Sequence, residues 1–485
     1  MLNFLNDLLW GKVLIFALIA VGLVFTLASR FVQFRYFLRM FAILGQVTHR
    51  EEGHLSSFQA LVLSVAGRVG AGNIAGVAVA ITLGGPGAVF WMWVIGLVGM
   101  STSFFECTLA QVYKVAEPDG TFRGGPAYYI DRGLGNRALA LVFSALLLIT
   151  FGFGFNALQS YTVATSVQDT FGIPTSVTGV VLLVVLGLII FGGVKRIAEV
   201  SEFIVPIMAV GYFAMALFVI LTNLDRVPQV LGLIFSSAFG LNAALAGGFG
   251  AALMFGVKRG LFSNEAGLGS APNVAAVAYV PHPVNQGIVQ AFSVFIDTII
   301  LCSCTAALIL LSPVYAPGSD LGGVTLTQAA MADHVGEWGR VFVTIALLMF
   351  AFTSILYNYY LGENSLNFFS EGDRWLFLIF RVMTLALVVW GAAQDLSTVF
   401  GFADVTMGLL ALVNLFAVVM LFKVGLVVMR NYDQQLKAGV ATPVFDPSEF
   451  PGVEIDGVAW PSLSPVQTFA PALVEEDLPP GRMDY

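Results

Sequence analysis

Apolar residues fall into eleven stretches long enough to cross a bilayer, at roughly 10–32, 58–82, 88–113, 138–165, 175–193, 200–222, 236–257, 288–312, 340–365, 375–392 and 396–422. A spanning helix needs about 20 such residues. The pattern predicts an all-α integral membrane protein with 11 transmembrane helices. Two stretches are interrupted by glycine at matching places. The first reads Gly67-Arg68-Val69-Gly70-Ala71-Gly72-Asn73, inside Phe58–Thr82; the second reads Gly247-Gly248-Phe249-Gly250, inside Ser236–Val257. Glycine is a poor helix former, so both helices are expected to unwind near mid-bilayer. Backbone unwound at that depth is tolerated only where it lines a cavity.

With the first stretch set aside, ten remain, and each broken helix opens a series of five. Lys and Arg set the orientation. With the amino terminus outside, fifteen of them fall in inner loops, including Lys114, Arg123, Arg132, Lys258 and Arg259, against Lys12, Arg226 and Arg340 outside. The odd count places the carboxyl terminus inside. The two broken helices then run in opposite directions, as inverted repeats do in secondary transporters. The expected organisation is an extra helix and loop at 1–57, a first repeat at 58–223, a second at 224–430 and a tail at 431–485.

Composition agrees with a polytopic membrane protein: 58% of residues are hydrophobic and 11% charged, with a mean hydropathy of +0.87. The net charge of −8 does not describe the membrane part. From Arg430 onward nine acidic and three basic residues contribute −6 of it, so the rest is near neutral and offers no footprint for nucleic acid. That tail, rich in Pro and acids, is expected to be disordered. The run from Trp10 to Phe31 is too long for a signal-peptide core. Cys107, Cys302 and Cys304 sit in apolar runs as small packing residues, and three Cys with four scattered His make no metal cluster.

The chemistry is expected at the breaks. Freed carbonyls can replace water around a small cation, and half-helix amino ends direct partial positive charge at a carboxylate. Gly70 and Gly72 open such a site, and Asn73 adds an amide that donates and accepts. Close helix packing through small residues is the competing reading. Gly247, Gly248 and Phe249 repeat the logic, with Phe249 either covering a ligand or packing. Asn156, Gln159 and Ser160 share one helix face, and Gln159 is the expected ligand contact. Thr353 and Ser354 offer hard hydroxyl oxygens, the kind that suits sodium. Arg68 and Asp297 are charged at depth, where a partner or a function is required. Arg68 fits an ion pair, a substrate carboxylate or a gate. Asp297 fits a cation, a proton or a structural hydrogen bond. The outer loop 313–337 is either a lid or a connector.

Further segments carry a resemblance. Gly72-Asn73-Ile74-Ala75-Gly76-Val77-Ala78, Gly84-Gly85-Pro86-Gly87-Ala88-Val89-Phe90-Trp91-Met92-Trp93, Gly124-Gly125-Pro126-Ala127-Tyr128-Tyr129-Ile130 and Arg259-Gly260-Leu261-Phe262-Ser263-Asn264-Glu265-Ala266-Gly267-Leu268-Gly269-Ser270-Ala271-Pro272 are among them. So are His282-Pro283, Gln286-Gly287 and Val294-Phe295-Ile296-Asp297-Thr298. Together they resemble the alanine or glycine:cation symporter family. The resemblance implies a 5+5 inverted repeat of the leucine-transporter type plus one extra amino-terminal helix. It implies sodium-driven uptake of small neutral amino acids, alanine or glycine and in some members D-amino acids or glutamine, by a monomer in a bacterial cytoplasmic membrane. Gly70, Gly72, Asn73, Gln159, Gly247, Gly248, Phe249 and Thr353 would then contact substrate. The carbonyls of Ala66, Val69 and Phe350, with Thr353 and Ser354, would surround sodium. Asn264 and Glu265 lie in the longest matched segment, which the expected topology places at the cytoplasmic mouth as part of an inner gate, with a re-entrant placement nearer the site as the alternative. No cofactor is implied beyond the transported ion.

Proton coupling through Asp297 or Glu106 is the alternative within transport. An intramembrane enzyme would need a nucleophile–base pair or a metal cluster in the helices, and no His lies in an expected span.

Overall fold

The structure, a computed structural model, describes residues 2–45, 56–118, 120–191, 193–240, 248–316, 321–370 and 373–462. It is 81% helical. In chain order the helices are α1 (Phe4–Ala28), α2 (Ser57–Arg68), α3 (Gly72–Gly84), α4 (Gly87–Val112), α5 (Arg137–Phe171), α6 (Thr175–Ile190), α7 (Glu199–Thr222) and α8 (Val227–Ala238). They continue as α9 (Gly248–Asn264), α10 (Ala271–Val277), α11 (Pro283–Leu310), α12 (Val324–Val335), α13 (Trp338–Phe369), α14 (Arg374–Ala392), α15 (Leu396–Met420) and α16 (Phe422–Lys437). Two short strands, Val115–Ala116 and Phe122–Arg123, pair antiparallel after α4.

Among the described residues eight helices are long and apolar enough to span, and the bent pair α2–α3 makes a ninth. The expected eleven are not reached by this measure, for two reasons. Helix α6 has only 16 residues. The expected span 236–257 is not one helix: α8 ends at Ala238, α9 begins at Gly248, and residues 241–247 lie outside the described ones.

The first break is where the glycines predict it. A capping box starts α2: Gln59 N donates to Ser56 Oγ at 3.1 Å, and Ser56 N donates to Gln59 Oε1 at 3.1 Å. The helix ends at Val69, which is extended (φ −81°, ψ 95°). The chain restarts as a wide π turn over Gly72–Gly76, and the two pieces meet at 50°.

The second break differs from expectation. Helix α9 packs along α3 with Phe255 beside Gly84 and Phe262 beside Gly72, so the two run antiparallel. It begins at Gly248, whose backbone is left-handed (φ 61°), directly after residues 241–247, which lie outside the described ones, and it stops at Asn264. Residues 265–270 are non-helical, with left-handed backbone at Glu265 (φ 56°), Gly267 (93°) and Gly269 (80°), before α10 begins. A non-glycine residue held there costs about 1–3 kcal/mol. A break not expected from the sequence therefore lies at Glu265–Ser270, fifteen residues beyond Gly250, while Gly247 of the expected break lies outside the described residues. Under the expected orientation, Lys258 and Arg259 then lie in the outer half rather than in an inner loop.

The bundle centres on α4, which packs against α9, α10, α11 and α1. Helix α1 docks through Trp10, whose Nε1 donates to the Asp404 carbonyl at 3.1 Å, and through Thr26, whose Oγ1 donates to Ser101 Oγ at 3.0 Å.

The tail differs in part from expectation as well. Order does not end at Arg430. Helix α16 runs to Lys437, and residues 438–462 fold back with Phe445, Phe450 and Trp460 buried. Residues 463–485 lie outside the described ones.

Candidate functional site

The two breaks face each other at the bundle centre. A Cβ on Gly70 would sit 2.5 Å from Ser354 Oγ and 2.6 Å from Gln159 Nε2. A Cβ on Gly72 would meet Phe262 and Ser263 at 3.2 Å. Glycine is required here by close approach. Gln159 Oε1 accepts from Ala71 N at 2.9 Å, so α5 holds the unwound backbone directly. Its neighbours do other work: Ser160 Oγ donates to the Val388 carbonyl at 2.6 Å, and Asn156 Nδ2 to that of Gly152 at 3.0 Å.

Asn73 links the break to α11. Its Oδ1 accepts from Gly70 N at 2.9 Å, and its Nδ2 donates to Asp297 Oδ1 at 2.6 Å. The other Asp297 oxygen accepts from Ser263 Oγ and Thr298 Oγ1, both at 2.8 Å. Asp297 is fully buried, and its three side-chain donors are neutral. Cys302, expected only to pack, places its sulfur 3.4 Å from Asn73 Nδ2 and 3.1 Å from Ser263 Oγ.

Oxygens gather on the other side of Gly70. Ser354 Oγ lies 3.1 Å from the Ala66 carbonyl, 3.2 Å from Gly67, 3.3 Å from Val69 and 3.0 Å from Phe350. Thr353 Oγ1 lies 3.4 Å from the Ala66 carbonyl and 3.0 Å from that of Phe350. All five residues expected around sodium are thus brought together. A hydroxyl has one hydrogen, so Ser354 cannot satisfy four carbonyls at once. The cluster is acceptor-rich and lacks positive charge.

Arg68 points away from this cluster. Its Nη1 donates to Ser293 Oγ at 2.6 Å and to the Gln290 carbonyl at 3.2 Å, and its Nη2 donates to Ser103 Oγ at 3.1 Å. It lies within electrostatic reach of Glu106, Glu265 and Asp297. None of the three forms a salt bridge with it among the described contacts. Glu265 accepts from Ser270 Oγ at 2.6 Å. Glu106 accepts from Gly267 N at 3.1 Å and from Asn414 Nδ2 at 2.8 Å. Asn264 Oδ1 accepts from Ala266 N at 2.9 Å. Asn264, Glu265 and Glu106 therefore shape the second break itself, at mid-bundle.

Gly248 and Phe249 are not brought to the site. Nothing lies within 4 Å of a Cβ on Gly248, while Phe249 is half-exposed with its ring against Trp91. They sit fourteen residues before Phe262, about 20 Å along the helix. Gly247 lies outside the described residues. Phe262 takes the aromatic place instead, 5.0 Å from the Phe155 ring and 5.9 Å from Phe400. Beyond this layer Arg259 donates to both oxygens of Asp404 at 2.6 and 2.7 Å, and Lys258 joins the same carboxylate at 2.7 Å. Helix α12, in the 313–337 connection expected to lie outside, reaches the first break: Thr327 Oγ1 donates to the Ile74 carbonyl at 3.3 Å.

Phe262, Ser263 and Thr327 join the site without a signal of their own in the sequence. Phe262 and Ser263 were legible only as parts of a matched segment, and Thr327 carries no local signal.

The family model described as the sodium:alanine symporter family matches residues 1–447. A protein of Bacillus subtilis named as a probable sodium/glutamine symporter, GlnT, is 47% identical over 442 residues, 91% of each chain. The sodium/alanine symporter AgcS of Methanococcus maripaludis is 37% identical over 433 residues, 87% of this chain and 94% of that one. The crystal structure of MhsT in complex with L-phenylalanine superposes with a TM-score of 0.55 at 13% identity, covering 75% of this chain and 89% of that one. That likeness carries the fold alone, which is of the leucine-transporter type. The chain is a membrane transporter rather than an enzyme, and it belongs to the sodium:alanine symporter family.

Proposed function

We propose that this protein couples inward sodium flow to uptake of small neutral amino acids, alanine or glycine, by alternating access. The observation that carries the reading is the oxygen cluster of Ala66, Val69, Phe350, Thr353 and Ser354 beside the unwound Gly70–Gly72 backbone. Five hard oxygens around an acceptor-rich point suit a small cation. Sodium bound there orders the α2–α3 junction. The substrate then completes a cavity shared by Gly70, Gly72, Asn73, Gln159 and Phe262. We assign eleven spans, with α6 and the α8–α9 region counted among them, an outside amino terminus and a cytoplasmic carboxyl terminus.

Glutamine is the second substrate reading, favoured by the name of the GlnT relative. The test is tritiated alanine uptake into proteoliposomes with and without a sodium gradient, competed by glycine, D-alanine and glutamine. Saturable, sodium-dependent uptake blocked by glycine supports the proposal. Competition by glutamine alone selects the second reading. Uptake driven by a pH gradient without sodium defeats the coupling assignment.

A further inference from the structure

The folded part of the tail lies across the ends of several helices on the face expected to be cytoplasmic. After α16 the chain turns at Gly439 (φ 88°). Gln435 clamps the returning strand, accepting from Val444 N at 2.9 Å and donating to its carbonyl at 2.7 Å. Phe445 N then donates to the Pro281 carbonyl at 2.9 Å, just before α11. Its ring packs against His282, Phe450 and Trp460, with centroids 5.5, 4.8 and 5.0 Å away. Trp460 is the anchor. It is 5% exposed, and its Nε1 donates to the Gln111 carbonyl at 2.8 Å, at the end of α4. Lys114 Nζ lies 4.3 Å from the Trp460 ring and 4.0 Å from that of Phe122, and it donates to the Ala278 carbonyl at 3.4 Å. Arg132, in the turn leading to α5, meets Glu454 at 3.1 Å and Asp456 at 3.9 Å.

The attachment points belong to different moving parts. Gln111 ends α4, Ala278 ends the inner half of the second broken helix, Pro281 precedes α11, and Arg132 precedes α5. The side chain of Gln111 is itself bonded to the Ala275 and Ala278 carbonyls. Displacing α10 to open an inner path would pull on each of these contacts. From this arrangement we infer that residues 438–462 are a strap that holds the inner side closed, with Trp460 as its catch. The strap sets how often the inner side opens. Releasing it raises the open population without altering the substrate or sodium site.

This rests on the alternating-access reading, but its test needs neither sodium nor amino acid. Cys107 is buried beneath Ala271 and Ala275 of α10, so its alkylation requires that half-helix to move. Labelling by N-ethylmaleimide is followed at Cys107 by mass spectrometry in the purified full chain, for wild type, Trp460→Ala and Glu454→Arg. Glu454 is 64% exposed, so its reversal leaves the fold intact. The inference predicts Cys107 labelling at least fivefold faster in Trp460→Ala and about twofold faster in Glu454→Arg, with unchanged gel-filtration profiles. Wild-type labelling rates in both variants overturn it. If Trp460→Ala does not accumulate, Glu454→Arg decides alone: no acceleration there defeats the strap. A wrong substrate assignment would leave these labelling rates unaffected.

Discussion

Asn73 Nδ2 lies 2.6 Å from Asp297 Oδ1, while the oxygen of the same amide accepts from Gly70 N at 2.9 Å. One side chain thus ties the unwound backbone of the first broken helix to a buried acid on α11. Asn73→Ala deletes both bonds and leaves Asp297 short of a donor. A hydrogen bond to a charged group contributes about 1.5–3 kcal/mol. Alanine uptake is expected to fall at least tenfold while the protein still inserts, as measured by proteoliposome uptake normalised to protein. Asp297→Asn should also impair uptake, because the amide keeps one acceptor oxygen, so either Asn73 or the Ser263 and Thr298 hydroxyls lose their acceptor.

Ser354→Ala and Thr353→Ala each remove an oxygen from the proposed sodium cluster. Each should raise the sodium concentration for half-maximal uptake by about tenfold or more, near 1.4 kcal/mol. A sodium titration of uptake reads this. Alanine half-saturation at saturating sodium should change far less for Ser354→Ala, because the hydroxyl faces the carbonyls.

Glycine positions separate the observed break from the one that glycine density suggests. Gly70→Ala places a Cβ 2.5 Å from Ser354 Oγ and should abolish uptake. Gly250→Ala meets nothing within 4 Å and lies within a helix, so uptake should stay within twofold of wild type. Uptake kinetics of the two variants side by side make the comparison.

His282 predicts a pH dependence for the strap. Its Nδ1 accepts from Val284 N at 3.2 Å, so the proton of the neutral ring sits on Nε2, which donates to Asn431. Burial lowers its pKa from 6.5 to about 3, partly opposed by the Asn431 bond. Tyr432, bonded by Arg39, and Glu449, bonded to Asn431, are the titratable and charged groups around it. Once exposed, the ring regains its ordinary pKa, so the undocked form takes up a proton first. Docking is at full strength above about pH 6.5 and weakens as pH falls from there toward about 3. Hydrogen exchange over residues 440–462, corrected for its intrinsic pH dependence, should accelerate between pH 7.5 and pH 5.

Much of the site was legible because its chemistry is local. Three glycines and an asparagine within seven residues mark the first break, and Thr353-Ser354 is a compact hydroxyl pair. The break at Glu265–Ser270 was not legible for a physical reason. Gly247-Gly248-Phe249-Gly250 is denser in glycine than Glu265-Ala266-Gly267-Leu268-Gly269-Ser270. The helix between them also carries Lys258 and Arg259, whose charge argues against a buried span. Both pair with Asp404, 145 residues away from Arg259, which no local window contains. The tail misled in the same way. Its prolines and acids suggest solvent exposure, while Phe445 and Trp460 find their partners at Pro281 and Gln111.

The central claim is that cation and amino acid share one unwound junction, and equilibrium binding tests it most directly. Alanine affinity of the purified protein is measured in sodium and in choline buffer, and sodium affinity with and without alanine. The account predicts alanine binding at least tenfold tighter in sodium, and sodium binding tightened by the same factor in alanine. Equal alanine affinity in the two buffers would contradict it.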